Sequence, residues 1–404
     1  MSFSVNFNQI DGEDVSSLYK GVKSEHLPNV NSKTIYYGNT EYHLCKYVKE
    51  NLNRDNVLTT GLFRSVIARD GKVLAVSPAK TMEYSHFTET YEEKDCVMEE
   101  FVEGTMCNVF YDKDEWVIST KSNIGAKNSF FTKGHISPED TFQQMFLDAF
   151  NYAGLSFDNL SSEYQYSFVL QHPRNRIVLD IKVPKLYLIA VNQISDDNLV
   201  TNMRDVAIEF VKTNKNVKMP DVYNYEGLTF KDIENEWKND IKYTEMGLVI
   251  VHKSTGNRTK IRNPNYEYVK VLRGNQPKLE FRYFELWQEN RIEEYLKYYP
   301  ECKDLFVEYW NKLCKFMDLT FNHYVDCYML KRFALKEYPF EYRTHMYALH
   351  TLYKEKLRDN RQIVTVPVTV EYFRSLPVAK IMFSLNYNMR PKTDVGSETA
   401  AETA

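Results

Sequence analysis

The chain has 404 residues, of which 43% are hydrophobic and 26% are charged, and its formal net charge is −4. This composition is that of an ordinary globular protein and excludes collagen-like, low-complexity and wholly disordered chains. Because 51 basic residues are offset by 55 acidic ones, the chain has no bulk positive field for wrapping duplex nucleic acid, and any nucleic-acid site has to be local.

The cysteines and the N-terminal residues indicate the compartment. Six cysteines occur at no CxxC or zinc-knuckle spacing, and a chain of this size needs no disulfide framework. The start has no basic stretch followed by an apolar core, and no window reaches the roughly 18 apolar residues of a membrane span. We therefore expect a cytoplasmic protein that makes no use of a membrane.

Up to about residue 280 the sequence is typical of short strands separated by turns. Residues 107–111 and 116–120 predict a β-hairpin with a four-residue connection. Further strands are expected at 166–170, 176–181, 186–191 and 247–252, and two helices at 138–153 and 199–213.

Beyond residue 280 the apolar spacing becomes helical. Large apolar side chains recur at intervals of mostly three or four from Phe306 to Tyr328, and again from Tyr342 to Leu357. Such wide aromatic stripes predict a shared helical core. The final residues, 391–404, are small, polar and acidic, and predict a disordered tail.

Five short segments follow one another in a definite order along the first part of the chain. They are residues 73–80 (VLAVSPAK), 99–106 (EEFVEGTM), 166–178 (YSFVLQHPRNRIV), 246–250 (MGLVI) and 259–262 (TKIR). In this order the segments resemble the nucleotidyltransferase domain of bacteriophage-type ATP-dependent RNA ligases. They resemble more closely an RNA-ligase-like family of large nucleocytoplasmic DNA viruses. Each motif is short, so their collinearity carries the resemblance.

The resemblance implies an α+β fold. A ligase-type nucleotidyltransferase domain, with antiparallel sheets flanked by helices, would occupy residues 60–280. Residues 1–60 would form an N-terminal extension packed on that domain, and residues 281–390 an all-helical C-terminal domain. The implied location is the host cytoplasm or the virion.

The resemblance also implies a covalent chemistry, and the sequence departs from it. In these ligases a lysine amine attacks the α-phosphate of ATP and forms a lysyl-adenylate. That lysine opens a K-x-D-G element, which here begins with Phe101 and ends in Glu103-Gly104. A phenyl ring has no lone pair with which to form a phosphorus–nitrogen bond. Two further family positions that hold acids are Val169 and Met246 here, so we assign no metal ligands.

The cationic positions of the family pattern survive. Lys260 and Arg262 alternate with Ile261, so both side chains can point from one strand face into a nucleotide cleft. A solvated strand face is the alternative interpretation. The candidate residues for binding ATP or another nucleotide are Glu103, Gly104, Lys121, Phe168, Lys260 and Arg262.

A second group of residues is a candidate site for single-stranded RNA or RNA ends, because it combines charges with stacking rings. The alternatives are an ordinary exposed loop and arginines that serve solubility. The nearby His172 has no acid partner that the sequence identifies. The candidate RNA-binding residues are Lys127, Lys133, Arg174 and Arg176, with Phe130 and Phe131 beside the lysines.

Three functions follow from this pattern. The favoured one is an RNA-ligase-like protein that has lost lysyl-adenylate chemistry and retains nucleotide or RNA-end binding. The second is an active ligase that joins 5′-phosphate and 3′-hydroxyl ends with a displaced nucleophile, for which Lys80 and Lys94 are the nearest upstream candidates. The third is a viral structural or assembly protein that uses the fold as a scaffold.

Overall fold

The computed structural model describes residues 2–130, 138–239 and 241–389. The chain divides into two compact units between Pro277 and Lys278. The first unit contains the strands and five α-helices, and the second is helical. Residues 391–404 and Lys133, for which the sequence predicts a tail and an RNA contact, lie outside the described residues.

The described part of the first unit contains sixteen strands. In chain order they are β1 (Ser4–Asn6), β2 (Gln9–Ile10), β3 (Glu13–Asp14), β4 (Val30–Tyr37), β5 (Thr40–Tyr47), β6 (Val66–Arg69), β7 (Lys72–Val76), β8 (Cys96–Glu100), β9 (Thr105–Asp112), β10 (Glu115–Thr120), β11 (Tyr164–Gln171), β12 (Lys185–Ile194), β13 (Leu199–Asn202), β14 (Val222–Tyr223), β15 (Gly247–His252) and β16 (Arg258–Arg262).

These strands form antiparallel sheets. The largest sheet has six strands in the order β1-β13-β12-β11-β9-β10, and a four-stranded sheet has the order β14-β8-β15-β16. A second four-stranded sheet is β4-β5-β6-β7, and β2 pairs with β3. Strands β1 and β5 precede residue 60, and they pair with β13 and β6, which follow it. The sheets therefore contain strands from both sides of residue 60.

Eleven α-helices complete the described residues. They are α1 (Tyr84–Thr90), α2 (Phe142–Tyr152), α3 (Arg204–Thr213), α4 (Phe230–Lys238), α5 (Pro264–Arg273), α6 (Leu279–Gln288), α7 (Ile292–Tyr298), α8 (Lys303–Tyr324), α9 (Phe340–Leu352), α10 (Val366–Arg374) and α11 (Val378–Leu385). An α+β unit of antiparallel sheets flanked by helices, followed by a helical unit, is the fold class that the resemblance implies.

Helix α2 shows why the local sequence adopts its structure. The Thr141 side chain accepts a hydrogen bond from the Gln144 N–H and so caps the first turn. One face of the helix is apolar, and it buries Phe146 and Phe150 against the six-stranded sheet, where Phe146 contacts Phe168 edge-on. The helix expected at 138–153 is therefore present, preceded by one 3₁₀ turn.

The predicted hairpin exists, but its connection is shorter than expected. Asp112 pairs with Glu115, so only Lys113 and Asp114 form the turn. Both turn residues have positive φ, +49° and +60°, which is the backbone of a tight two-residue hairpin turn. The four-residue connection was wrong because polar residues 112 and 115 belong to the strands.

Two other expected elements differ from the structure. Residues 176–181 form no strand, because the backbone N–H groups of Val178 and Leu179 donate to the Glu103 carboxylate instead of to a neighbouring strand. The helix expected at 199–213 begins only at Arg204. Its first part is β13, which pairs with β1 and β12, so tertiary pairing overrides the helical spacing there.

The second unit has the helical core that the aromatic stripes predict. Phe316 of α8 stacks on Tyr342 of α9, with ring centroids 4.6 Å apart. Met346 and Leu349 of α9 are fully buried in the same cluster as Tyr324 of α8. Large-area aromatic contacts of this kind stabilise a helical core.

No helix among the described residues is long and apolar enough to cross a lipid bilayer. Cys45, Cys96, Cys107, Cys314 and Cys327 are free thiols.

Candidate functional site

A pocket of about 410 Å³ lies between the six-stranded sheet and the sheet that contains β8, β15 and β16. We call it the cationic pocket because basic side chains dominate its charged lining. Those side chains are Arg64, Lys80, Lys121, Arg204, Arg258, Lys260 and Arg262, and the acids that accompany them are Glu99 and Glu100.

Strand β16 supplies three of the cations through its two-residue alternation. Arg258, Lys260 and Arg262 line the pocket, whereas the intervening Thr259 and Ile261 are buried on the opposite face. Successive side chains of a strand point to opposite sides. The alternation that the sequence shows therefore gives Lys260 and Arg262 a common face, as predicted.

Phe101 stands beside these cations. Its backbone N–H donates to the Gly247 carbonyl at 3.0 Å, and Gly247 in turn pairs with Arg262. Phe101, Gly247 and Arg262 thus lie side by side across the sheet. Because the central residue is glycine, no side chain separates Phe101 from Arg262. The Lys260 Nζ atom consequently lies 5.5 Å from the centroid of the Phe101 ring, in the range of a cation–π contact.

Several cations of the pocket already have partners. Arg204 forms an ion pair with Glu99 at 2.5 Å, and Arg262 forms one with Glu267. Arg258 donates from Nε to the Ala79 carbonyl at 2.9 Å and from Nη2 to the Pro78 carbonyl at 3.0 Å. These contacts fix the two arginines of β16 and leave the lysines as the less constrained charges.

Burial and neighbouring positive charges lower the pKa values of the three lysines of the pocket. Burial, followed by the positive charge of Arg262, lowers the pKa of Lys260 to about 7. Burial and the charge of Arg64 lower the pKa of Lys121 to about 8, and burial also lowers the pKa of Lys80. Desolvation and like charges both disfavour the ammonium form. The pocket is therefore short of negative charge.

The structure brings together most of the sequence-predicted nucleotide contacts. Gly104, Lys121, Lys260 and Arg262 all line the cationic pocket, together with Phe101. Val169 and Met246, which replace the acids of the family pattern, line it too. Glu245, one residue before Met246, is solvent-exposed and is not part of the lining.

Two of the predicted contacts lie elsewhere, and the structure corrects them. Phe168 is fully buried in the core between the six-stranded sheet and α2, because Val169 takes the pocket face of β11 and its neighbour must take the other. Glu103 is 4% exposed, and its carboxylate accepts the N–H groups of Val178 and Leu179 at 3.1 Å. Glu103 therefore stabilises the backbone behind the pocket.

The predicted RNA contacts are not gathered in the cationic pocket. Lys127 is exposed, with its Nζ atom 5.7 Å from the ring centroid of Tyr37. Arg174 forms an ion pair with Asp148, whose carboxylate also lies 3.6 Å from His172 Nε2. Asp148 is the acid partner of His172 that the sequence did not identify.

Arg176 also lies apart from the pocket. It follows the 3₁₀ turn at Pro173–Asn175, and its Nη2 atom is 3.5 Å from the Val178 carbonyl. His172 itself is buried, and burial together with the charge of Arg174 lowers its pKa. The His172 and Arg174 pair thus forms a local structural network around Asp148.

The acids of the cationic pocket do not form a metal site. Glu99 is paired with Arg204, and burial raises the pKa of Glu100. Nowhere in residues 2–130, 138–239 and 241–389 do three or more His, Cys, Asp or Glu side chains come together as they would around a metal ion. Divalent cations prefer several carboxylate or carbonyl oxygens, so the residues present do not fit a protein-held metal.

Sequence reasoning missed three cations of the pocket. Arg258 has the same alternation as Lys260 and Arg262, so the period-two pattern extended by one step would have found it. Arg64 and Arg204 come from a loop and the start of α3. They have no local signal, because only tertiary folding brings them to the pocket.

In sequence the chain is similar to two viral proteins, one of which is an RNA ligase. It is 27% identical over 201 residues to the immediate-early protein ICP-46 homolog of Invertebrate iridescent virus 3, which is 48% of this chain and 40% of the relative. It is 29% identical over 102 residues to an RNA ligase of Rhodothermus phage RM378, which is 24% of this chain and 23% of the relative. The matches thus span less than half of these relatives. No protein-family model matches the chain.

Solved ligases share distant structural likeness with the chain. An RNA ligase of Naegleria gruberi with ATP and Mn has a TM-score of 0.35 and 11% identity, over 66% of this chain and 85% of the other. An archaeal ATP-dependent RNA ligase has a TM-score of 0.38 and 9% identity, over 63% and 62% of the two chains.

Proposed function

We propose that the protein is an RNA-ligase-like nucleotide-binding protein whose cationic pocket holds the phosphates of ATP or another nucleotide. The observation that carries the proposal is the charge of the lining, with seven basic side chains against two acidic ones. One of those acids, Glu99, is already neutralised by Arg204. A bound polyphosphate would supply the negative charge that the pocket lacks.

The size and the apolar part of the pocket support the same ligand class. A cavity of about 410 Å³ is within the roughly 300–1,000 Å³ of small-molecule sites. Phe3, Tyr47 and Phe101 also line it and offer aromatic faces for a base. Phosphate-binding charges beside aromatic rings suit a nucleotide better than inorganic phosphate alone.

The pocket also suits the phosphate at an RNA end. The resemblance to RNA ligases motivates this part of the proposal, and the lysines supply contacts to phosphate that do not depend on base sequence. Phe101 has no nitrogen to which a nucleotide could be attached, so the position at which ligases form their adenylate serves binding only.

Titration of the purified protein with ATP by calorimetry tests the proposal. We expect saturable binding that weakens when Lys121 is replaced, because among the described residues its Nζ atom is held only over the Tyr47 ring, 5.2 Å from the centroid. Loss of one charge-assisted contact costs about 1.5–3 kcal/mol, so Lys121→Met should weaken binding roughly ten- to a hundredfold.

Lys94→Met is the matched control for that titration. Lys94 is exposed, pairs with Glu92 at 2.5 Å and does not line the pocket, so this variant should bind ATP like the parent. A 5′-phosphorylated oligoribonucleotide should compete with ATP, and its 5′-hydroxyl counterpart should compete less. Absence of ATP binding would contradict the proposal and favour the scaffold function.

A further inference from the structure

A second pocket, of about 330 Å³, adjoins the cationic pocket within the first unit. We call it the neutral pocket, because the described residues of its lining include one basic side chain, Arg258, and one acidic side chain, the exposed Asp11. The other lining residues are apolar or carry amide and hydroxyl groups. This described lining therefore has too little positive charge to hold a polyphosphate.

Phe3 forms the wall between the two pockets. It lines both of them, and its carbonyl accepts a hydrogen bond from the Asn202 N–H at 2.9 Å, which fastens it to the end of β13. The ring lies directly against Gly256, where a Cβ atom would be 2.2 Å from the Phe3 Cζ atom. Any larger residue at position 256 would displace the ring. The Phe3 ring is thus held as a flat apolar face at the border of the neutral pocket.

Two lining residues of the neutral pocket have hydrogen-bonding capacity that no described residue uses. Ser77 is 4% exposed, and its Oγ atom accepts from Asn108 Nδ2 at 2.8 Å, so the hydroxyl proton is available to donate. Asn202 donates from Nδ2 to Asn192 Oδ1 at 3.2 Å, while its own Oδ1 atom accepts no hydrogen bond from the described residues. A ligand with both an acceptor and a donor would satisfy these two groups.

An aromatic face beside a donor and an acceptor is the recognition chemistry of a nucleobase. Bases stack on aromatic side chains and form hydrogen bonds through their edges. A volume of about 330 Å³ is within the roughly 300–1,000 Å³ of small-molecule sites. Tyr47 and Phe101 line the cationic pocket but not the neutral one, so a nucleotide in the cationic pocket has aromatic faces of its own. The neutral pocket is therefore available to another base.

We propose that the neutral pocket binds a second nucleoside, a base with its sugar, beside the nucleotide of the cationic pocket. This inference rests on the nucleotide binding proposed above, since the second nucleoside is defined relative to that nucleotide. Phe3 stacks on the second base, and Ser77 and Asn202 form hydrogen bonds with its edge. Arg258 lines both pockets, which places a cation where a phosphate would join the two nucleosides. The two pockets together suit a dinucleotide.

Calorimetry with adenosine tests the inference on the full-length protein. The titration is made into protein that is already saturated with ATP, so that the cationic pocket is occupied. Adenosine has a ring nitrogen that accepts and an amino group that donates, as the neutral pocket requires. We expect saturable binding of one adenosine per protein under these conditions.

Two variants locate the adenosine. Leu58 lines the neutral pocket but not the cationic one, so Leu58→Trp should weaken adenosine binding at least about tenfold and keep the affinity for ATP within about twofold. Phe3→Ala removes the stacking face and should weaken adenosine binding roughly five- to a hundredfold. Leu228→Trp is the matched control, because Leu228 is 41% exposed, compared with 37% for Leu58, and lines neither pocket.

The other outcomes distinguish the two proposals. Failure of adenosine to bind the ATP-saturated protein would overturn the second site and leave the proposed nucleotide binding intact. Adenosine binding that is unaltered in both Leu58→Trp and Phe3→Ala would place the nucleoside elsewhere and also overturn the inference. Protein that binds neither ATP nor adenosine would overturn both proposals.

Discussion

At the scale of single residues, two glycines let the strands around the pocket approach closely. Gly104 and Gly247 have φ values of +148° and +144°. A Cβ atom on Gly104 would lie 2.4 Å from the Leu170 carbonyl oxygen, and one on Gly247 would lie 2.2 Å from the Ile261 carbonyl oxygen. Both contacts are with backbone, which has little freedom to move, so neither position accepts a larger residue without displacing a strand.

Gly247→Ala should destabilise the first unit strongly. The strained backbone alone costs about 1–3 kcal/mol, and the contact with the Ile261 oxygen adds to that. Gly38→Ala is the matched control, because Gly38 also has positive φ but a Cβ atom there meets nothing within 4 Å. Denaturation midpoints measured by circular dichroism should fall further for Gly247→Ala. Equal losses of stability in the two variants would contradict the close approach.

The pKa of Lys260 leads to a second prediction at this scale. Its value of about 7 in the folded protein is below the ordinary value of about 10.4. The unfolded chain therefore binds more protons between these values, and the contribution of Lys260 to stability rises with pH in that window. A bound polyphosphate favours the ammonium form, so binding at and above pH 7 should take up a proton.

ATP affinity should consequently weaken as pH rises from about 6 to about 9, by at most about tenfold per pH unit for one coupled proton. Calorimetry at one pH in buffers of different ionisation enthalpy measures this uptake directly. In Lys260→Met the uptake should decrease to the part contributed by Lys121 and Lys80. An affinity that is constant across this range in the parent protein would show that these lysines do not face the ligand.

At the scale of elements, the segment after β11 is held by one buried carboxylate instead of by a sheet. Glu103 accepts hydrogen bonds from two consecutive N–H groups, those of Val178 and Leu179. The apolar residues at 177–179 resemble a strand in the sequence. Their donors are satisfied by a side chain 75 residues away in the chain, and no local pattern encodes that partner.

Glu103→Ala should loosen this segment, because two buried N–H groups would lose their acceptor at a cost of about 1–3 kcal/mol. Trypsin should then cleave faster after Arg174, Arg176 or Lys182, and Glu103→Gln, which keeps one acceptor oxygen, should show a smaller effect. Glu163 is exposed, so Glu163→Ala is the control and should leave the cleavage rate unchanged. Unaltered proteolysis of Glu103→Ala would refute this role.

At the scale of the whole molecule, the protein concentrates positive charge in one place while its total charge is negative. The net charge is −4, yet the cationic pocket has seven basic side chains and two acidic ones. A cleft of one sign attracts oppositely charged ligands more strongly than the average surface does. The pocket lies within the first of the two units, since every residue of its lining precedes Pro277.

Brief treatment with a nonspecific protease should therefore yield a fragment that still binds ATP. The expected cleavage is within residues 274–278, which join α5 to α6 and include exposed positions without helix. Exposed irregular connections are preferred sites of nicking. Calorimetry on the isolated first unit should give the affinity of the intact chain within about twofold, a difference of only about 0.4 kcal/mol. A fragment that is folded but no longer binds ATP would contradict a pocket built from the first unit alone.

The sequence by itself determined the features that depend on periodicity and local pattern. These are several strands of the first unit, the helical spacing of the second, the hairpin of residues 107–111 and 116–120, and the common face of Lys260 and Arg262. Each follows from the spacing of apolar and polar residues along one element.

Only the tertiary structure decided which elements meet. It placed Arg64, Lys121 and Arg204 beside β16, turned Phe168 into the core, and set the Lys260 amine against the Phe101 ring. The physical reason is that alternation in a strand fixes the side on which a residue lies, whereas the neighbour it finds there is set by the packing of distant segments.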